Sequence, residues 1–148
     1  MPKDGFRLQQ VLNYRREVEK ARKQELAVAR SEFDNATRRL KSEEEKAERL
    51  SRELKEKETA GILALEFQLY AEFSRKQSSD IKNQREAVST LNEEVEEKRE
   101  ILLSAAKDKK VLESFKDKTT AAHRLDVAAK ERNFLDEIAI QGNSRSKK

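Results

Sequence analysis

The sequence of 148 residues predicts an all-α fold: two long helices paired as an antiparallel coiled-coil hairpin. Three observations carry that prediction. The chain is 42% charged and only 35% hydrophobic, with a mean hydropathy of -1.01, too polar to wrap a conventional core. Its apolar residues recur at alternating spacings of three and four, which places them along one face of a helix. Gly61 stands alone between two such runs, and no proline follows Pro2, where one inside a helix would cost about 3 kcal/mol.

The first helix is expected over residues of about 6–59. Phe33, Ala36, Leu40, Glu43, Ala47, Leu50 and Leu54 make a heptad seam. Upstream, Val11, Tyr14, Val18, Ala21, Glu25 and Val28 make a similar stripe, which reaches Phe33 only through a five-residue step. Such a step reads as a stutter, a local change of phase. On the outer face the pairs Glu48 and Arg52, and Glu53 and Lys57, stand four apart with the acid first, the favourable order. Each contributes only a few tenths of a kcal/mol, so burial of the seam has to supply the rest.

Gly61 ends that helix, because glycine tolerates the left-handed conformation that closes a C-terminus. With a hinge over about 60–62, the second helix covers about 63–140 and a disordered tail covers 141–148, all within one coiled-coil domain, 1–148. Its seam is Ile81, Gln84, Val88, Leu91, Val95, Lys98, Leu102, Ala105 and Leu112, with a polar interruption at Lys109. Ser78, Ser79 and Asp80 are good N-caps and poor interior residues, so they offer a second break that would leave 62–77 as a short separate helix. The arms are unequal, at ~80 Å and ~115 Å. Chain reversal at Gly61 sets residue 8 near residue 114, leaving Phe115, Leu125, Val127, Phe134, Leu135 and Ile138 without an intramolecular partner.

Catalysis finds no support in these residues. The one histidine, His123, falls in a helix and reads as exposed, and there is no cysteine to act as nucleophile or thiolate ligand. Three scattered glycines build neither a GxxxxGK nor a GxGxxG phosphate loop. Carboxylate runs such as Glu43, Glu44 and Glu45 are a solvated face, with no pocket to shift their pKa values. No enzyme, cofactor, metal site or small-molecule substrate is expected. No apolar run approaches the ~20 residues that span a bilayer, nothing resembles a signal peptide, and a cytoplasmic location is expected.

The net charge is +4. Between Arg7 and Arg30 seven basic residues face three acids, Glu17, Glu19 and Glu25. A DNA-reading basic helix leading into a zipper would look similar, but here acids dilute the basic run and the seam behind it lacks repeated leucine. No nucleic-acid partner is expected; a basic helical end docking on an acidic protein surface, or merely a solvated face, is the simpler reading.

The stretch GILALEFQLYAEFS, residues 61–74, gathers three of the eight aromatic residues with Ile62, Leu63, Leu65 and Leu69. Several of these cover the frayed helix ends at the hinge. Phe67, Tyr70 and Phe73 recur every three residues, so they advance around the helix and cannot all face one partner helix. At least one is left outside the seam, as a docking anchor.

Three motifs taken together resemble the FliJ family of flagellar export proteins. The opening FRLQQVLNYRREVEKARKQELAVA has an early Phe, a Leu two residues on, Val-Leu, and then an acidic-basic helix. The closing KERNFLDEIAI, residues 130–140, is similar to the family's terminal Leu-Asp-Glu with its apolar pair, and Gly61-Ile62 followed by spaced aromatics resembles its mid-chain pattern. The resemblance implies a cytoplasmic, non-enzymatic coiled-coil stalk of the flagellar type III export apparatus, peripheral to the inner membrane. It implies three partners: the hexameric export ATPase, whose assembly and activity the stalk promotes; the export-gate membrane protein FlhA; and export chaperones.

The resemblance also assigns residues. Phe67, Tyr70 and Phe73 are expected to bind the export gate, while Gln77, Asp80 and Gln84 depart from the family's apolar positions. The ATPase-facing end is expected at the paired termini, with Leu8, Val11, Leu12 and Arg15 on one arm and Leu135, Asp136, Glu137 and Ile138 on the other. A chain free of these partners is expected to be a monomer. The competing reading is a coiled-coil spacer or adaptor of another complex, including the related stalk of virulence-type secretion systems.

Overall fold

The computed structural model describes residues 5–146, with side chains through Asn143. It is all-helical among these residues: α1 runs over Gln9–Ala60 and α2 over Ala64–Ser146. Before α1, Gly5 adopts a left-handed φ of 74°, and the Gln9 N–H donates to the Phe6 carbonyl at 3.0 Å. Between the helices, Gly61 has a φ of 100°, a conformation in which a side chain would be strained. The hinge is there, as expected. Lys57 in the last turn of α1 reaches Glu66 in the first turn of α2, 3.3 Å away. A cation at a C-terminus and an anion at an N-terminus each complement their own helix dipole.

The alternative second break at Ser78, Ser79 and Asp80 does not occur, since α2 passes through them without interruption. Their flanks explain it. Gln77 and Ile81 are buried, one helical turn apart, so the three polar residues between them project to water. Likewise α2 continues through residues 141–146, where the sequence suggests a disordered tail; residues 147 and 148 of that tail lie outside the described ones. Extending an existing helix needs no new nucleus, so Gly142 and Asn143 cost only their own propensity.

Close contacts gather into two units. One comprises Arg22–Leu102 and the other Met1–Ala21 with Leu103–Lys148. Within Arg22–Leu102 the core is Leu26, Ala29 and Val95, with Phe33 and Leu102 packed against it. Arg85 donates to Glu44 at 3.1 Å and the Tyr70 hydroxyl to Glu53 at 3.2 Å. Partner numbers fall in one helix as they rise in the other, so the pairing is antiparallel.

In the other unit the Phe6 and Phe115 rings meet at a tilt of 54° with centroids 5.8 Å apart, and Lys116 donates to Gln9 Oε1 at 2.7 Å. Arg15 meets Asp108 at 3.5 Å and Arg16 meets Glu113 at 3.7 Å. This pairing is antiparallel too. Phe115 therefore has an intramolecular partner, contrary to expectation, although half of it remains exposed.

The seam of α1 differs from the expected one before Phe33. Buried and half-buried positions include Leu12, Arg15, Glu19, Arg22, Leu26, Ala29, Phe33 and Ala36, in unbroken steps of three and four, with the expected Val18 and Glu25 half-buried beside them. There is no stutter. Val11, Tyr14 and Val28 are exposed instead. Apolar identity misled the reading because three consecutive seam places hold charged residues, whose long stems cover the interface while their heads find partners. The seam of α2 is the expected one throughout, and it includes Lys109.

Candidate partner-binding surfaces

After the hinge, α2 carries its aromatics on two different faces. Tyr70 turns toward α1. Its hydroxyl is bonded to Glu53, and the Lys57 Nζ lies 4.9 Å from its ring centroid. Contact with Tyr70, and after it the ion pair with Glu66, raises the Lys57 ammonium above the ordinary 10.5. Phe73 is 57% exposed and lines an open cleft with Tyr70, Leu69 and Leu50. Phe67, also exposed, does not line it.

Of the three expected gate-binding residues, then, two share a cleft and one stands apart. Leu50 and Leu69 share that cleft without being expected in a site. Leu69 carried a signal, because it precedes Phe73 by one turn on the same face; Leu50 read only as seam. The departures also sort themselves. Gln77 is buried and Gln84 half-buried in the seam, while Asp80 is exposed, so neither glutamine is presented to a partner. The buried Gln84 Oε1 has no hydrogen-bond partner among the described residues.

The residues expected at an ATPase-facing end do not form one patch. Leu12 is 0% exposed and belongs to the core, a correction to its expected role at the surface. Leu8 and Val11 are exposed beside it, and Arg15 is engaged with Asp108. Leu135, Asp136, Glu137 and Ile138 are all exposed on α2. The start of α1 lies against Phe115 and Lys116, however, and residue 135 is 19 residues further on, about 30 Å along the helix. The register explains the separation, since α1 begins too late to reach the end of α2.

Beyond His123, a half-buried seam residue rather than an exposed one, the apolar pattern changes phase. The strict alternation of the seam, continued from His123 by three, four, three and four, lands on Asp126, Lys130, Asn133 and Glu137, all polar. The apolar residues Val127, Phe134 and Ile138 each come one position later, and all are exposed. Among the described residues no group of three His, Cys, Asp or Glu is placed to hold a metal, and no helix is long and apolar enough to cross a membrane.

A family model described as Flagellar FliJ protein matches residues 3–148. The chain belongs to the FliJ family. As a FliJ protein it is a component of flagellar type III protein export, in a family that is structural rather than enzymatic. No curated protein and no solved structure matches the chain. The FliJ assignment therefore rests on the family model, and the two long helices paired in antiparallel fashion agree with it.

Proposed function

We propose that this chain is the coiled-coil stalk of the flagellar export apparatus, which binds the hexameric export ATPase, promotes its assembly and activity, and links it to FlhA and to export chaperones. The observation that carries the reading is the end of α2. In a chain of this family, Leu125, Phe134, Leu135, Ile138 and Ile140 stand exposed along one helix. Exposed apolar area is unfavourable by roughly 25 cal/mol per Å², and insertion into a ring cavity removes that penalty. Asp136 and Glu137 are the polar edge of that contact, while Leu8 and Val11, exposed about 30 Å back along the helix, make a separate one. The cleft of Leu50, Leu69, Tyr70 and Phe73 is the gate-binding site, and Phe67, exposed outside it, contributes less. The protein works in the cytoplasm at the inner face of the membrane.

The test is ATP hydrolysis by the purified export ATPase with and without this protein. Stimulation that is lost when Phe134 and Ile138 are both changed to Ser supports the stalk. Hydrolysis and hexamer assembly that do not respond to the wild-type chain remove the proposal.

A further inference from the structure

We propose that the outer face of α2 over residues 107–118 receives an acidic amphipathic helix of a partner protein as a third strand beside the coiled coil. The face is built from Lys107, Lys110, Val111, Ser114, Phe115 and Lys118, which line one open depression. Their spacing makes two consecutive diamonds, 107, 110, 111 and 114, then 111, 114, 115 and 118. Each is the four-residue hole that accepts a knob from a facing helix. Ser114, shared by both diamonds, is small enough to leave the holes open. Val111 is 68% exposed and Phe115 51%, so the floor is apolar and uncovered.

Charge selects the occupant. On the side toward α1, Lys109 and Lys116 are engaged with Glu19 and Gln9, while Asp108 and Glu113 are engaged by Arg15 and Arg16. Lys107, Lys110 and Lys118 have no ion pair among the described residues. Asp117 lies about 100° around the helix from Lys118, off this face. What remains is an apolar floor edged by three uncompensated cations. A helix with apolar knobs and flanking carboxylates complements both features. An anionic bilayer would satisfy the charge without using the holes. The inference does not rest on the export reading, since it names a different surface and a different test.

The probe is a short acetylated helical peptide of about four turns, with Leu in a seam and Glu elsewhere. Its twin carries Lys in place of Glu, and vesicles of equal phosphatidylglycerol and phosphatidylcholine serve as the membrane probe. Binding to the full chain is followed by amide chemical shifts. The Glu peptide is expected to bind saturably, to shift residues 107–118, and to weaken as salt rises. A Lys107→Glu/Lys110→Glu/Lys118→Glu variant should lose about tenfold or more in affinity for it and gain binding of the Lys twin. Ser114→Leu keeps every charge but fills both holes, and should weaken the Glu peptide comparably. Circular dichroism checks that both variants retain their helicity. The proposal is overturned by no saturable binding, by equal binding of the two peptides, or by affinity unchanged in Ser114→Leu. Lysine-dependent binding to vesicles without binding of the Glu peptide overturns it in favour of a membrane surface.

Discussion

Glu19 and Lys109 face one another across the seam, with Nζ 2.7 Å from Oε2 and the Glu19 side chain only 8% exposed. Each occupies a place where a coiled coil ordinarily buries an apolar residue, so each satisfies a charge the other would leave stranded. Such a pair fixes register, because slipping one helix past the other separates the charges in a poorly hydrated place.

The pair makes stability depend on alkaline pH. Its bond to Glu19 raises the Lys109 ammonium above 10.5, more than the neighbouring Arg16 and partial burial lower it. A lysine whose folded pKa is raised stabilises the fold fully below its unfolded value and ceases to do so as pH climbs through the folded one. Melting temperatures of the wild type and of Lys109→Met should therefore differ most near neutrality. The gap should close only as pH climbs through the raised folded value, and a constant gap would mean that the ammonium charge is not what stabilises.

Gly61→Ala tests the hinge. Nothing lies within 4 Å of a Cβ built at this position, so the cost is the left-handed φ of 100° alone. Urea unfolding should show a loss of about 1–2 kcal/mol. A neutral result would mean that the hinge relaxes into another turn.

Leu12 and Val11 are neighbours with opposite fates. Leu12→Ala should cost about 2–5 kcal/mol, because the residue is 0% exposed and its removal leaves a cavity. Val11→Ala should cost less than about 0.5 kcal/mol, so any partner binding it loses reports a direct contact. Denaturant midpoints of the two variants make the comparison.

Phe73→Ser should leave the melting temperature nearly unchanged, since the ring is largely exposed, while abolishing binding of the purified cytoplasmic domain of FlhA. Phe67→Ser should weaken that binding less, because Phe67 does not line the cleft. Equal losses would move the site off the cleft, and no loss in either variant would remove the gate assignment.

Much of this architecture is written in the spacing of residues. From Phe33 onward in α1 and from Ile81 to Leu112 in α2, the seam read from spacing is the one that is covered, and Gly61 marks the reversal through its own conformational freedom. Before Phe33 the two diverge. Arg15, Glu19 and Arg22 hold seam positions that hydropathy assigns to their neighbours, and only the opposing helix, with Asp108 and Lys109, reveals why. Ser78, Ser79 and Asp80 show the converse error: local propensity favours a break, yet the burial of Gln77 and Ile81 carries the helix through. At the surface the exposed aromatics were legible from their three-residue recurrence. Leu50 was not, because its share of the cleft depends on what α2 places beside it.

The phase change after His123 limits what can cover the end of α2. One residue is about 100° of rotation, so Val127, Phe134 and Ile138 point roughly a quarter turn away from the line that α1 follows. An α1 lengthened at its start, however faithfully it kept its heptads, would run alongside Asp126, Lys130, Asn133 and Glu137 and leave the apolar stripe bare. On the stalk reading proposed above, whatever covers that stripe has to arrive from another side, and grafting extra coiled coil onto the beginning of the chain would not shut that door.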